Sequence, residues 1–160
     1  MDSLVEIASG WLGFPAVSYN GPDAGDSPTG FDCSGFVKYC LQQAAYFLPL
    51  SPTTGKLIRH TEELFDFYGI LIHDEFKKPG DLVFFSKDFI KPTHVGIYVG
   101  SNQMIHSPGI DGEVIEVITI DYLSGRKIKL DGKPKQIYSN NPIGFKRPVK
   151  IINGKRYQRF

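Results

Sequence analysis

The sequence predicts an α+β fold, with helices in the N-terminal part and an antiparallel sheet in the C-terminal part. Apolar residues recur at helical spacing up to about residue 68, short runs of β-forming residues begin at residue 81, and glycine- and proline-rich turns separate those runs. Helices followed by strands favour an antiparallel sheet over a parallel one. A chain of 160 residues can bury a sizeable core, so residues 1–160 are expected to form a single domain.

The first helix is predicted by a capping box. Ser3 and Glu6 form the Ser-x-x-Glu pattern, and apolar residues at helical spacing follow until Gly13. Residues 19–30 contain repeated Gly, Pro and Asp residues, which predicts a loop leading to Cys33.

Two further helices are predicted before the sheet. The second spans Cys33 to Phe47, because its apolar residues fall at i, i+3, i+4 and i+7 and Asp32 precedes it as an N-cap. The third spans residues 55–68 and ends at Gly69.

Five runs of β-forming residues are expected to build the sheet. They cover residues 81–86, 94–99, 103–107, 113–120 and about 143–149. The polar, basic segment 124–141 is predicted to be an excursion between strands.

Charge is distributed unevenly along the chain. Residues 1–120 carry 7 Lys/Arg and 15 Asp/Glu, a balance of −8, whereas residues 121–160 carry 11 and 2, a balance of +9. Either the two parts attract each other in the fold, or the C-terminal region binds an anionic polymer. Nucleic acid is not the expected partner, because none of its common binding motifs is present. No apolar stretch approaches the roughly 20 residues of a membrane span.

The N-terminus lacks the basic and apolar regions of a secretory signal, since Glu6 interrupts the only apolar stretch there. Three locations are therefore open. The protein is cytoplasmic in the producing cell, is exported by a non-signal route as an effector or phage protein, or is a secreted protein whose leader has been removed.

Cys33 is the candidate nucleophile. The first turn of a helix presents backbone N–H groups and the positive dipole end, and with a protonated histidine nearby such sites lower a thiol pKa to roughly 3.5–7.5. Gly35 costs about 1 kcal/mol of helix propensity relative to Ala, which predicts the close approach of another backbone. Cys40 lies about 10 Å along the same helix, beyond disulfide reach, and is expected in the core.

Two histidines are candidates for the base that deprotonates this thiol and for the group that orients the base. If Val99 opposes Gln103 in a hairpin, His94 and His106 share one face, at a diagonal Cα separation of roughly 7–8 Å that lets their rings meet. His94 is then the candidate base and His106 the group that orients it. A one-residue slip would place the rings on opposite faces. Asn102 and Gln103 are alternative orienting residues, and His60 and His73 are expected on the surface.

Zinc is an alternative use of the same atoms, since Cys33, His94 and His106 could form a Cys-His-His site. No Cys-x-x-Cys or His-x-x-x-His pair supplies a close-spaced chelate. We therefore expect no metal and no cofactor.

Three segments in order resemble the NlpC-type cell-wall cysteine peptidases, a papain-like family. Residues 31–37 (Phe-Asp-Cys-Ser-Gly-Phe-Val) resemble its nucleophile motif, residues 79–85 its central strand, and residues 94–100 (His-Val-Gly-Ile-Tyr-Val-Gly) its base motif. The resemblance covers about residues 4–120, and residues 143–147 resemble its closing strand.

The resemblance implies a papain-like fold and hydrolysis of peptide bonds in peptidoglycan stem peptides or muropeptides, often the γ-D-glutamyl-diamino acid bond, through a thioacyl enzyme. Cys33 would be the nucleophile, His94 the general base and acid, and His106 the orienting residue. The backbone N–H of Cys33 would stabilise the oxyanion.

The resemblance also implies substrate contacts. Asp32 and Ser34 flank the nucleophile and become candidates, although Asp32 has the alternative role of a plain helix cap. The family usually has an aromatic residue where this chain has Ala16, and Tyr19 is predicted to replace it.

The sequence leaves two other functions open. The same thioacyl intermediate would serve an acyltransferase, and an inert descendant would bind wall fragments or a partner. The presence of all three of Cys33, His94 and His106 favours an enzyme.

Overall fold

The computed structural model describes residues 3–86, 89–120, 127–130, 133–136, 141–152 and 155–158. Its helices are α1 (Leu4–Gly10), α2 (Cys33–Gln43) and α3 (Thr61–Phe67), with a 3-10 turn at Asp74–Phe76. Its strands are β1 (Asp26–Ser27), β2 (Gly30–Phe31), β3 (Ile70–Ile72), β4 (Leu82–Ser86), β5 (Pro92–Gly100), β6 (Gln103–His106), β7 (Glu116–Thr119), β8 (Lys127–Leu130), β9 (Lys133–Gln136), β10 (Asn141–Arg147), β11 (Val149–Ile152) and β12 (Lys155–Gln158).

The main sheet has six antiparallel strands in the order β3-β10-β4-β5-β6-β7. Strand β10 lies between β3 and β4, although it follows both in the chain. The predicted α+β class with an antiparallel sheet is confirmed.

The main core lies between helix α2 and the sheet. Strands β4, β5 and β6 each contribute apolar side chains to this core, and Cys40 packs there with no exposed surface, as predicted. The fully buried residues of α2 and the sheet in this core are Phe36, Val37, Cys40, Leu41, Leu82, Phe84, Val95 and Ile97. Neither Cys40 nor Cys33 is in a disulfide.

The predicted helix starts are correct for the first two helices. Ser3 Oγ accepts a hydrogen bond from the Glu6 N–H at 3.2 Å, and Asp32 Oδ1 accepts one from the Gly35 N–H at 2.7 Å. Helix α2 ends at Gln43 instead of Phe47, because Ala45 adopts the left-handed conformation with φ 63°.

The third helix is shorter than predicted and begins at Thr61, not at residue 55. The carboxylate of Glu63 accepts hydrogen bonds from the backbone N–H groups of Arg59 and His60, at 2.9 and 3.1 Å. These bonds satisfy donors at a helix start, so the helix begins after His60. Residues 52–56 form a turn and a bend instead, and Leu57 makes an isolated β-bridge with Leu50.

Among the strands that were not predicted, β1, β2 and β3 are very short. Strands β1 and β2 pair within and beside the predicted loop 19–30, and strand β3 pairs with β10 after Gly69. Each spans two or three residues, too few to show periodicity in a sequence. Within segment 124–141, strands β8 and β9 pair with each other. The other residues of that segment, apart from Asn141 of β10, lie outside the described residues.

Among the described residues, an ion pair between Asp81 and Arg147 joins the acidic and basic parts of the chain. Arg147 donates to both carboxylate oxygens of Asp81, at 2.9 and 3.0 Å, and both residues are buried. Lys146 is also buried and donates to the carbonyl of Phe65. These two cationic side chains therefore bind partners inside the fold. Most side chains of the predicted anionic-polymer surface lie outside the described residues.

Candidate active site

Cys33 is the first residue of helix α2 and is half-buried. Its Sγ lies 3.6 Å from Thr61 Oγ1 and accepts a hydrogen bond from the backbone N–H of Val95, the residue that follows His94. As the first residue of the helix, Cys33 has no intrahelical partner for its own N–H. The sulfur therefore lies between the start of α2 and the start of β5.

The close backbone approach predicted at Gly35 is confirmed. A Cβ at this position would overlap the carbonyl oxygen of Gly25 and would lie 2.9 Å from a guanidinium nitrogen of Arg59. The loop before the helix therefore packs directly against the turn that carries Cys33.

The expected lowering of the Cys33 pKa is wrong for this structure. Burial raises the pKa of the Cys33 thiol above its ordinary value, and the Asp32 carboxylate adds to the rise. Hydrogen bonds from Thr61 and from the backbone of Val95 and Ser34 act in the opposite direction. The prediction assumed a protonated histidine, whereas His94 is neutral here. The resting thiol is therefore protonated at neutral pH.

His94 and His106 meet as the hairpin argument predicts. Ile97 pairs with Ile105 as expected, although a bulge makes Gly100 the partner of Gln103 in place of Val99. The rings are perpendicular, and Nε2 of His94 lies 2.7 Å from Nδ1 of His106. On the other side of its ring, His106 Nε2 lies 3.1 Å from Glu116 Oε1.

Both histidines are buried in neutral form. Burial lowers the pKa of His106 to about 3. The pKa of His94 falls well below its ordinary value, first because of burial and second because of the neighbouring His106. At neutral pH each ring therefore carries a single proton, and His94 is in the state that can accept another.

Stability should depend on pH through these two rings. In the unfolded chain each histidine takes up a proton near pH 6.5, whereas His106 in the folded chain does so only near pH 3. The full free energy of unfolding is therefore present above pH 6.5. As the pH falls below 6.5 we expect a loss approaching about 1.4 kcal/mol per pH unit for each ring.

Urea unfolding at several pH values between 7.5 and 5 measures this loss. The variant His73→Gln is the matched control, because it replaces a histidine whose side chain is 70% exposed and outside the buried pair. A free energy of unfolding that does not change between pH 7 and 5 would contradict the prediction.

Gly96 has no side chain, and this leaves space for Met104 and His106 on the face of the sheet where the two histidines meet. It lies between His94 and Tyr98 on strand β5, and a Cβ there would stand 2.6 Å from Met104 Sδ and 3.2 Å from His106 Cβ. Real Cβ atoms do not approach a neighbour as closely as 2.6 Å, so Met104 must move, and the tight 3.2 Å contact requires His106 to shift slightly as well.

Gly96→Ala should therefore lower both stability and kcat. Overpacking in a dense interior costs about 1–3 kcal/mol, and displacement of His106 would lengthen its bond to His94. Urea unfolding and steady-state kinetics of the variant measure the two effects. Ala replacing Gly10, where a Cβ meets no atom within 4 Å, is the matched control. An unchanged kcat in a folded Gly96→Ala protein would show that this spacing does not matter.

The side chains of Asp32 and Ser34 both accept hydrogen bonds from a buried arginine. Arg59 donates to Asp32 Oδ2 at 2.6 Å, to Ser34 Oγ at 2.8 Å and to the carbonyl of Ala24 at 2.8 Å. Arg59 is 3% exposed, Asp32 1% and Ser34 3%. In this structure Asp32 caps the helix, and neither flanking residue presents its side chain to solvent.

Tyr19 is half-exposed and lines an open cleft of about 510 Å³. Its hydroxyl lies 2.8 Å from His60 Nδ1, and the Arg59 guanidinium stands 5.7 Å from its ring centre. Ala16, at the position of the family's aromatic residue, is buried. Of the three predicted substrate contacts, Tyr19 is the one with an exposed side chain.

Sequence reasoning missed Arg59, Thr61 and Glu116. The first two stand beside the capping pattern formed by His60 and Glu63, which a search for the third helix start could have found. Glu116 lies directly opposite His106 in the pairing of β6 with β7, and no local signal specifies that register.

The zinc alternative finds no support in this geometry. The two ring nitrogens that face each other are hydrogen-bonded at 2.7 Å, which leaves no space for an ion between them. Within the described part of the chain, no group of three or more His, Cys, Asp and Glu residues is arranged to hold a metal. The helices of that part include none with the length and hydropathy of a membrane span.

Several known proteins are similar to this chain. The Probable endopeptidase p60 of Listeria innocua is 43% identical over 84 residues, which are 52% of this chain and 15% of that protein. The Gamma-D-glutamyl-L-lysine dipeptidyl-peptidase of Bacillus cereus is 32% identical over 122 residues, 75% of this chain and 32% of that protein. The crystal structure of the NlpC/p60 domain of peptidoglycan hydrolase SagA superposes with a TM-score of 0.58 at 31% identity, covering 76% of this chain and 91% of that domain.

This chain therefore spans a third or less of the length of those two full-length relatives. The family model described as "NlpC/P60 family" matches residues 23–130, which include the start of α2 and the two strands that carry the histidines. A match over that part of the sequence, together with the shared fold, leads to one conclusion: the chain belongs to the NlpC/P60 family.

Proposed function

We propose that this chain is a cysteine peptidase that hydrolyses peptide bonds in peptidoglycan stem peptides. One observation carries the proposal: Cys33 Sγ, at the start of α2, lies against the first residues of β5, where His94 is hydrogen-bonded to His106. A thiol, a neutral base and a group that orients the base are the parts that nucleophilic catalysis requires.

The reaction would begin with transfer of the Sγ proton to Nδ1 of His94, since Nε2 of that ring is bonded to His106. The sulfur attacks the carbonyl carbon, and the C–N bond breaks as His94 returns the proton to the leaving amine. Water, deprotonated by His94, then attacks the thioester, the C–S bond breaks, and the proton returns to Cys33.

Two features of α2 would stabilise the charges that develop. The positive end of the helix favours the thiolate, and the N–H of Cys33 is the proposed donor to the oxyanion. Because the resting thiol is neutral, these groups act only when the proton has moved. Their energy would therefore favour the transition state over the ground state.

The relatives support the substrate class. One is named for a γ-D-glutamyl-L-lysine bond, and a similar domain belongs to a protein described as a peptidoglycan hydrolase. We propose the γ-D-glutamyl-diamino acid bond as the scissile bond. Tyr19 is the proposed substrate contact, whereas a direct role of Asp32 or Ser34 would require their bonds to Arg59 to open.

Defined muropeptides test this proposal. The protein and its Cys33→Ala variant are incubated with tri-, tetra- and cross-linked stem peptides, and the products are identified by mass spectrometry. We expect the unmodified protein alone to release fragments in which one water has been added across the γ-D-glutamyl bond. Identical spectra for the protein and the variant on all substrates would refute the proposed substrate. Products joined to an added amine without water would indicate acyl transfer instead.

A further inference from the structure

The carboxylate of Glu116 contacts His106 on the side of that ring opposite His94. Glu116 Oε1, both nitrogens of His106 and Nε2 of His94 form consecutive hydrogen-bonded contacts of 3.1 and 2.7 Å. His106 and Glu116 are directly opposed in the pairing of β6 with β7. The two rings are buried, and the Glu116 side chain is 32% exposed.

We propose that Glu116 is a positioning residue: its carboxylate selects the tautomers of His106 and His94, and thereby leaves Nδ1 of His94 without a proton. This inference rests on the proposed function, in which that nitrogen takes the proton of Cys33. It concerns a residue that touches neither the sulfur nor the scissile bond.

The proton positions follow one from another. A carboxylate only accepts hydrogen bonds, so the proton of His106 must be on Nε2. A neutral imidazole has one N–H, which makes Nδ1 of His106 an acceptor. Nε2 of His94 must then donate to it, and the lone pair of His94 is on Nδ1.

Burial keeps each of the two rings in the singly protonated form that these hydrogen bonds require. Because burial lowers the pKa of both rings, neither gains a second proton at neutral pH. With a second proton on His106, both of its nitrogens would donate and the arrangement would be lost. Neutral rings are therefore required for the selection to work.

Without Glu116 the opposite tautomers become accessible. His106 could carry its proton on Nδ1 and donate to Nε2 of His94, which would place the His94 proton on Nδ1, where a base is needed. Water could reach the position of Glu116, but water both donates and accepts and would not select a tautomer. In a Ser-His-Asp triad, the wrong histidine tautomer lowers kcat by about 10⁴.

Two variants and one control test the proposal by kinetics. Glu116→Leu removes the acceptor, and Glu116→Gln keeps the shape but adds a donor. Carboxylates that hydrogen-bond to metal-bound histidines are worth about 10- to 100-fold in activity. Glu116 is one ring further from the sulfur than the carboxylate of a Ser-His-Asp triad, so we expect kcat to fall by this smaller factor in the Leu variant and by less in the Gln variant. KM should be unchanged. Glu75→Gln, which removes a 70% exposed carboxylate, should have full activity.

The protonation of the ring nitrogens gives a second readout that does not depend on activity. Long-range ¹H–¹⁵N spectra distinguish protonated from unprotonated ring nitrogens. We expect Nε2 protonated in both rings of the unmodified protein, and a changed or mixed pattern in Glu116→Gln. Should Glu116→Leu fail to fold, the Gln variant and these spectra still decide the matter.

Two results would overturn the proposal. One is full kcat in both folded Glu116 variants, and the other is a His106 proton on Nδ1 in the unmodified protein. Failure of the proposed function would give a different result, because the unmodified protein would then cleave no muropeptide. The nitrogen spectra would then still report on the tautomers.

Discussion

Replacing Cys33 by alanine is expected to lower kcat for muropeptide hydrolysis by at least about 10⁴-fold, because the atom that would bond to the carbonyl carbon is removed. Binding should persist, since the sulfur contributes little contact area. Steady-state kinetics with the released fragment quantified by mass spectrometry measures the loss. A folded Cys33→Ala protein with an appreciable fraction of the original kcat would exclude Cys33 as the nucleophile.

The second cysteine provides the matched control for this experiment. Cys40 lies on the same helix with no exposed surface, and burial raises its pKa. Cys40→Ala should reduce stability through the cavity it leaves, and kcat should not change. Alkylation should likewise modify Cys33 well before Cys40, and the Cys33 rate should rise with pH, because its resting thiol is protonated. Equal modification of both thiols would contradict the observed difference in exposure.

Replacing Arg59 by methionine is expected to destabilise the protein by about 3–5 kcal/mol, because it leaves the buried carboxylate of Asp32 without its cation. That carboxylate is 1% exposed and also caps helix α2. Its displacement would disturb the turn that carries Cys33, so kcat/KM should fall as well. Urea unfolding and kinetics of the variant measure the two losses.

A second substitution separates charge from packing in this cluster. Asp32→Asn in the Arg59→Met background removes the unpaired charge but retains a capping oxygen, and should restore part of the lost stability. Recovery in the double variant would show that the buried charge is the main cost. An Arg59→Met protein with unchanged stability would show that the pair contributes nothing to the fold.

Local sequence patterns predicted the elements that present the candidate nucleophile and base. The cap at Asp32 acts within three residues, and so it correctly located the start of α2 and the position of Cys33. The alternation in β5 and β6 correctly brought His94 to His106, since a short turn leaves few choices of register. The bulge at the end of that hairpin was missed, but it lies beyond the histidine pairing and does not affect it.

Other parts of the site depend on residues distant in sequence. Arg59 reaches Asp32 across 27 positions, and strand β10 enters the sheet between two strands that precede it by more than fifty residues. No periodicity or cap encodes such a contact. The direction of the Cys33 pKa was missed for a related reason, because it depends on how completely the surrounding elements exclude water.

The sequence by itself therefore determined the α+β class, the helix start that presents Cys33, and the pairing of His94 with His106, because caps, turns and strand alternation act over a few neighbouring residues. Only the tertiary structure decided that Arg59 holds Asp32 and Ser34, that both histidines are neutral, and that Glu116 stands at the end of their hydrogen-bonded series. Packing decides these features, since burial and long-range pairing arise only when separate elements come together.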